Sequence, residues 1–496
     1  MTFSLADLAA LAPVIVLSVG ALVLLLTEVF LSGENRGYQA FVTAATAAVA
    51  FALYFSMGPK VSEQPYVLLG GFAVIDAFSC FAGATICAGL LLTALLGHGF
   101  LKPRDAERGE FYALCLLAAA GMCLLVQGND LLFIFIALET LSIATYALAA
   151  YLRAEAKPTE AAFKYFLLGA ISSALFLFGA ALCFGASGQT SLPGIGATPQ
   201  SALLLAGLTL LLVGFGFKIA AVPFHMWAPD VYEGSPTPVT AFMAVAVKAA
   251  AFAALLRVLL TGFGGHGLAG AAAWQPLLSW IAILTMLGGN LWALTERSVK
   301  RMLAYSSVAH AGYLLVAVVA AGSGSALVRN EATSSLLFYL ATYTITAAGA
   351  FGAISLMERL DPNGPQPWDL ERFTGLAQRR PWVAIAMTIL MLSLAGIPPT
   401  AGFMGKLLVF RAAVDAGQVR LAIVGVVSAL IGLYYYLRIV VYMFMRPAPQ
   451  QFAPAAPRSW VADLAVLSAA AAALWFGILS GPLAEAARAS GTLFGG

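Results

Sequence analysis

Fourteen apolar runs separated by short polar breaks divide this chain of 496 residues. Their limits are about 8 to 30, 38 to 57, 75 to 97, 111 to 127, 130 to 151, 163 to 184, 202 to 226, 239 to 262, 273 to 295, 302 to 322, 333 to 357, 382 to 410, 420 to 445 and 460 to 481. A helix of about 20 such residues crosses the roughly 30 Å hydrocarbon layer of a bilayer, where only helices and closed barrels satisfy their own backbone groups. The expected fold is an all-α polytopic membrane protein of about 14 transmembrane helices. No loop is long enough for a separate soluble unit; the longest, about 358 to 381, is a charged, proline-containing linker. The first run is read as span 1 and not as a cleaved leader. Its apolar core is too long, Asp7 stands where a basic flank would be, and no small-residue cleavage site follows.

Composition narrows the function. Hydrophobic residues make up 61% and charged residues 10%, against about 25% charged in soluble domains. A net charge of +3 leaves no basic surface to hold nucleic acid. The five cysteines lie in apolar stretches without a CxxC pair, so neither an iron–sulfur, zinc nor disulfide framework is expected. His98, His225, His266 and His310 are too dispersed for paired haem ligation. No cofactor is expected in this chain.

Lysine and arginine near span ends are retained on the cytoplasmic side. Odd-numbered loops carry fifteen of them, against five in the even-numbered loops and the C-terminus, so both termini are expected outside the cytoplasm. Six remain within spans: Lys164, Lys218, Lys248, Arg257, Lys406 and Arg438. Arg257 and Arg438 lie within one to two turns of span ends, where a long side chain snorkels to the interface.

Spans 7 and 12 each combine helix-weakening glycine and proline with one lysine: Gly214, Gly216, Lys218 and Pro223 in one, Gly396, Pro398, Pro399, Gly402, Gly405 and Lys406 in the other. Proline removes a backbone donor, so both helices are expected to break and expose carbonyls. The two spans are five apart and therefore run in opposite directions, as in two inverted five-helix repeats covering spans 4 to 8 and 9 to 13. The expected organisation is 1–110 for spans 1 to 3, 111–262 and 273–445 for the repeats, and 446–496 for span 14.

One lysine at a helix centre costs roughly 2.5 to 3.5 kcal/mol, so three cost on the order of 8 to 10 kcal/mol before partners are counted. Lys248 is the deepest, at the middle of AVAVKAAAFA in span 8. Glu139 in span 5 continues into a polar stripe of Ser142, Thr145 and Tyr146 at helical spacing; it is read as a carboxylate partner for a buried lysine, in preference to a protonated acid hydrogen-bonded within the core. Burial weakens a lysine's hold on its proton and a nearby carboxylate strengthens it. Moving Glu139 relative to Lys218 would therefore switch that lysine between holding and releasing a proton. Lys164 in span 6 and His310 in SSVAHAGY are second-rank relay candidates, with packed or interfacial roles as the alternative. His225 lies where span 7 meets the cytoplasm and is either part of a proton uptake path or a locally bonded helix-end residue. Asp230 and Glu233 lie in the one odd-numbered loop without a basic residue, where they either gather protons or, as the preferred reading, cap span 8.

The stretches GFGFKIAAVPFHMWAPDVYEGSPTPVTAFMAVAVKAAAFA, ERSVKRMLAYSSVAHAGYLL and LAGIPPTAGFMGKLLVF look closely like segments of the subunit N family of NADH-quinone oxidoreductases, the antiporter-like membrane subunits of bacterial respiratory complex I. The resemblance runs from about residue 110 to 445. It implies that Glu139 and Lys218 are the input pair, Lys248 the central relay and Lys406 the group exchanging protons with the periplasm. The related subunit M carries a glutamate where Lys406 stands. Subunit L has a long C-terminal extension with a lateral helix, whereas this sequence stops 15 residues after span 14. Mrp-type Na⁺(K⁺)/H⁺ antiporter subunits are the alternative. The resemblance further implies a multi-pass protein of the bacterial inner membrane, with both termini periplasmic. Its partners would be lipid and the other membrane subunits of complex I. FMN, iron–sulfur clusters, NADH and quinone would be bound by partner subunits, so that electrons never enter this chain.

Overall fold

The computed structural model describes residues 5–30, 37–62, 64–264, 270–322, 325–360, 368–447 and 459–492. Arg36, Arg458, His266 and the middle of the 358–381 linker lie outside these residues. Among the described residues twelve helices are long and apolar enough to cross a membrane. The apolar runs at 202 to 226 and 382 to 410 are not continuous helices. The first gives Ala202–Lys218 and Trp227–Gly234, the second Pro381–Ala395 and Ala401–Asp415. Glycine and proline interrupt both where the sequence places them.

Burial sorts the helices into layers. The apolar window of Thr237–Gly262 is wholly buried, that of Val299–Ala321 is 94% buried, and that of Ala326–Glu358 is 89% buried. Ala12–Phe30 and Tyr38–Val61 at the periphery bury only 28%. Residues on an inner helix meet protein on every side, so any polar group there must find its partner within the chain.

Helix starts follow local chemistry. Asp130 accepts from the backbone N–H groups of Leu132 and Phe133 at 2.9 and 3.2 Å and begins Leu131–Ala149. Asp76 and Ser79 form a reciprocal capping box at Ala77–Leu101. Asp76 also resolves the position of Arg257. The expected snorkelling does not occur: Arg257 is fully buried, its guanidinium bound by both Asp76 oxygens at 2.9 and 2.8 Å and by the Val126 carbonyl at 3.2 Å. A two-point carboxylate pairing compensates the burial. Arg438 keeps to its helix end and donates to the Leu294 carbonyl at 3.0 Å.

Lys300, which by sequence belongs to an odd-numbered loop and so to its fifteen basic residues, is likewise buried. It donates to the Ser235 carbonyl at 2.7 Å and lies 3.5 Å from Glu358, which also accepts from Thr237. Both groups stand at one end of the central helices, and each satisfies the other.

Candidate functional site: buried lysines at two helix breaks

The first break covers residues 219–226. Lys218 is the last residue of its helix, where a cation meets the negative end of the helix dipole. Ala220 takes a left-handed conformation at φ 56, and the break includes the cis Val222–Pro223 bond. Freed backbone groups are taken up locally: Trp227 Nε1 donates to the Phe217 carbonyl at 3.0 Å, and the Val222 N–H to Thr285 Oγ1 at 3.0 Å.

The Lys218 ammonium donates to Ser142 Oγ at 2.7 Å. Ser142 passes a hydrogen bond to the Leu138 carbonyl, and Ser173 donates to Glu139. Glu139 and Ser142 stand one turn apart on the same helix face. The structure thus gathers Glu139 and Lys218 into one cluster, with Ser142 as the lysine's partner and no direct ion pair between the two. Lys218 is buried and Glu139 half-buried. The rings of Tyr146 and Tyr165 lie 5.3 and 5.6 Å from the ammonium.

Lys248 follows a five-residue π-helical turn, Met243–Val247, inside the innermost helix. Such turns, in which the hydrogen bonds skip one residue further, concentrate at functional positions. Its ammonium donates to both the main-chain carbonyl and, at 2.6 Å, the hydroxyl of Ser307. Only 1% of Lys248 is exposed. Beside Lys218, Tyr165 stacks on Trp227 at 4.7 Å, and Trp227 meets Tyr232 edge-on at 5.7 Å.

Ser306, the chain neighbour of Ser307, belongs to a second hydrogen-bonded group. Ser306 hydrogen-bonds Tyr436, whose hydroxyl lies 3.2 Å from His310 Nε2, and His310 Nδ1 lies 2.7 Å from the Tyr339 hydroxyl. Ser306, His310 and Tyr313 recur at helical spacing on Val299–Ala321, which puts all three on one stripe. His310 touches Tyr313 with ring centroids 5.5 Å apart, and Lys406 lies 5.0 Å from the same ring.

The second break, residues 396–400, presents Lys406 differently. Its ammonium donates to the Leu394 and Ala395 carbonyls at 2.8 and 2.9 Å, the orphan acceptors at the end of Pro381–Ala395. Gly396 makes room. It has φ 83, and a Cβ there would stand 2.8 Å from Lys406 Cδ. A small cavity between this break and His310 is lined by Tyr339, Thr342, Thr346 and Ser393.

The remaining candidates lie elsewhere. Lys164 pairs with Glu160 at 2.7 Å and Asp230 at 2.9 Å in a partly exposed cluster. Asp230 and Glu233 do not cap the following span. They sit within Trp227–Gly234 and hold Arg301 at 2.7 and 3.2 Å, with Glu233 also accepting from Trp368 Nε1 at 3.0 Å. Burial alone would push the Asp230 carboxyl up, but its bonds to Lys164 and Arg301 outweigh that and hold it below the ordinary carboxylate value. His225 is half-buried and stacks on Trp292 at 4.5 Å, away from the Lys248–His310 line.

Sequence reasoning missed the tyrosines at 313, 339 and 436 and the Ser306–Ser307 pair. The serines were detectable from their spacing to His310; the tyrosines come from helices far apart in the chain.

Buried lysines at two helix breaks and at the centre of the innermost helix, with a buried histidine hydrogen-bonded to tyrosine hydroxyls between the last two, define an antiporter-like helical membrane protein. Residues 128–432 match the family described as NADH:quinone oxidoreductase/Mrp antiporter, TM. The chain is 50% identical to NADH-quinone oxidoreductase subunit N of Myxococcus xanthus, over 99% of each chain. With the subunit N of Trichlorobacter lovleyi it shares 42%, over 91% of this chain and 90% of the other. A chain of respiratory complex I from Thermus thermophilus superposes with a TM-score of 0.80 at 37% identity, covering 96% of this chain and 99% of that one. A chain of the Mrp complex from Dietzia, 23% identical, shares the fold with a TM-score of 0.85 over 99% and 98%. The chain belongs to the NADH-quinone oxidoreductase subunit N family.

Proposed function

We propose that this chain is a proton-translocating membrane subunit of an NADH:quinone oxidoreductase, driven by quinone reduction in partner subunits. The observation that carries this reading is Lys248. This cation at the centre of a wholly buried helix donates to Ser307, and the adjacent Ser306 bonds Tyr436, which reaches His310; His310 touches the Tyr313 ring that faces Lys406. Glu139 and Lys218 form the input, Lys248 the central store, and Lys406 the group that exchanges protons with the far side. His310 lies between the last two. Lys164 and His225 flank the uptake side, where the open cluster of Asp230, Glu233 and Arg301 gathers protons.

Moving one charge against the membrane potential costs about 2.3 kcal/mol per 100 mV. A carboxylate brought to or from a buried lysine changes its proton affinity by an energy of that order. Fourteen spans, two inverted five-helix repeats and termini on the periplasmic side of a bacterial inner membrane complete the reading. It is supported by the two breaks and by the loop charges. NADH, FMN, iron–sulfur clusters and quinone belong to partner subunits.

The test has two arms. The chain is expected to copurify with an NADH-oxidising, quinone-reducing complex. When reconstituted alone in liposomes it is expected to give no cation flux under an imposed pH gradient. Cation flux by the isolated chain would identify a stand-alone antiporter instead.

A further inference from the structure

A cavity of about 520 Å³ lies between the N-terminal and C-terminal helices, outside the lysine line. Its walls include Phe51 and Phe55 of Tyr38–Val61, Phe81 and Ala84 of Ala77–Leu101, and Ala341 of Ala326–Leu360; Leu483 of the short helix Gly481–Ala489 closes one end. The lining is almost wholly apolar, which disfavours water, and an empty space of this size would sacrifice packing throughout its walls. Phe55 is 68% exposed and Phe51 39%, stacked 6.3 Å apart on the apolar outer surface. The cavity therefore opens sideways, at the depth where the bilayer supplies hydrocarbon.

Two features select the occupant. The closing helix is amphipathic and short, with Leu483, Ala486 and Ala489 toward the cavity and Arg488 on its polar side, the character of a helix lying at headgroup level. Lys60 follows Pro59 of the rim at that same end, a charge complementary to a lipid phosphate. We propose that this cavity is a phospholipid site: one acyl chain enters past Phe51 and Phe55 and fills the space, with its phosphate beside Lys60.

The site bears on the helix behind it. Ala341, Thr344 and Ile345 face the cavity, while Tyr339, Thr342 and Tyr343 of the same turns face His310. Occupancy would support the wall that holds Tyr339 against His310. The binding itself does not depend on the proton reading.

The experiment uses the intact complex in vesicles of phosphatidylethanolamine and phosphatidylglycerol, doped with a phospholipid carrying a photoactivatable acyl chain. Adducts are mapped by peptide mass spectrometry. They are expected on residues 77–88 and 341–345, and both Ala84→Trp and Ala341→Phe, which fill the cavity, should lower them severalfold while labelling elsewhere on the chain is unchanged. Using two variants keeps the test valid if one fails to assemble. Adducts confined to the outer surface, or cavity adducts unchanged in a filled variant, would overturn the proposal. So would capture of a neighbouring polypeptide by a photoreactive residue placed at Phe55.

Discussion

The two helix breaks use the same residues in different ways. Lys218 ends the helix before its break and reaches across to a side chain, Ser142, next to Glu139. Lys406 lies in the helix after its break and reaches back to two main-chain carbonyls, Leu394 and Ala395. A side-chain hydroxyl can turn and a carboxylate can change charge or position, whereas helix-end carbonyls are fixed dipoles. The first lysine is therefore built to be modulated and the second to be held. On the proposed reading, that difference separates the input lysine from the terminal one.

The largest effects test whether Glu139 speaks to one lysine only. Lys218→Met and Lys406→Met should each lower proton translocation severalfold in the intact complex. Glu139→Gln should be strongly non-additive with Lys218→Met, with a coupling of about 0.5 to 3 kcal/mol in the rates. With Lys406→Met it should add within about 0.5 kcal/mol, as for sites without shared partners. Equal coupling to both lysines would erase the contrast between the breaks.

Stability supplies the next test. Ser142→Ala leaves the buried Lys218 ammonium without its hydroxyl and should destabilise the protein by about 1 to 3 kcal/mol in thermal unfolding. At the second break the lysine's acceptors are backbone, so side-chain substitution touches it only indirectly. Ser393→Ala removes the acceptor for the Gly402 N–H, 3.1 Å away, and should lose about 0.5 to 1.5 kcal/mol. A larger loss at Ser393 than at Ser142 would reverse the proposed order.

The smallest effect lies at the surface beside the first break. Because Asp230 is held below the ordinary carboxylate value, its contribution is fully present above about pH 4 and is lost as pH falls through the folded value. Partly exposed pairs of this kind contribute only about 0.2 to 1 kcal/mol. Amide protection in residues 227–234, taken as exchange relative to the intrinsic rate at each pH, should therefore fall modestly on acidification, and fall less in Asp230→Asn.

Much of this site can be read from sequence where the signal is local. Lys218, Lys248 and Lys406 stand out because a charge is expensive in an apolar run, and the breaks because glycine and proline cluster there. Ser142 is found by spacing from Glu139. The partners brought by tertiary contact are not legible. Asp76 and Arg257 are 181 residues apart, so an arginine near a span end reads as snorkelling until its carboxylate is seen. Lys300 looks like a topology signal because Glu358 belongs to a distant helix. Lys164, placed within a span by hydropathy, belongs to a surface ion cluster. The π-helical turn before Lys248 has no sequence period of its own, since five consecutive apolar residues fit an α-helix equally well.

The central claim is that protons pass through Lys248. It is tested most directly by Lys248→Ala in the intact complex, reconstituted in sealed vesicles, with proton translocation and NADH oxidation followed together. Proton translocation is expected to fall severalfold while NADH oxidation by a soluble electron acceptor is unchanged. Proton translocation at the level of the unsubstituted complex would contradict it.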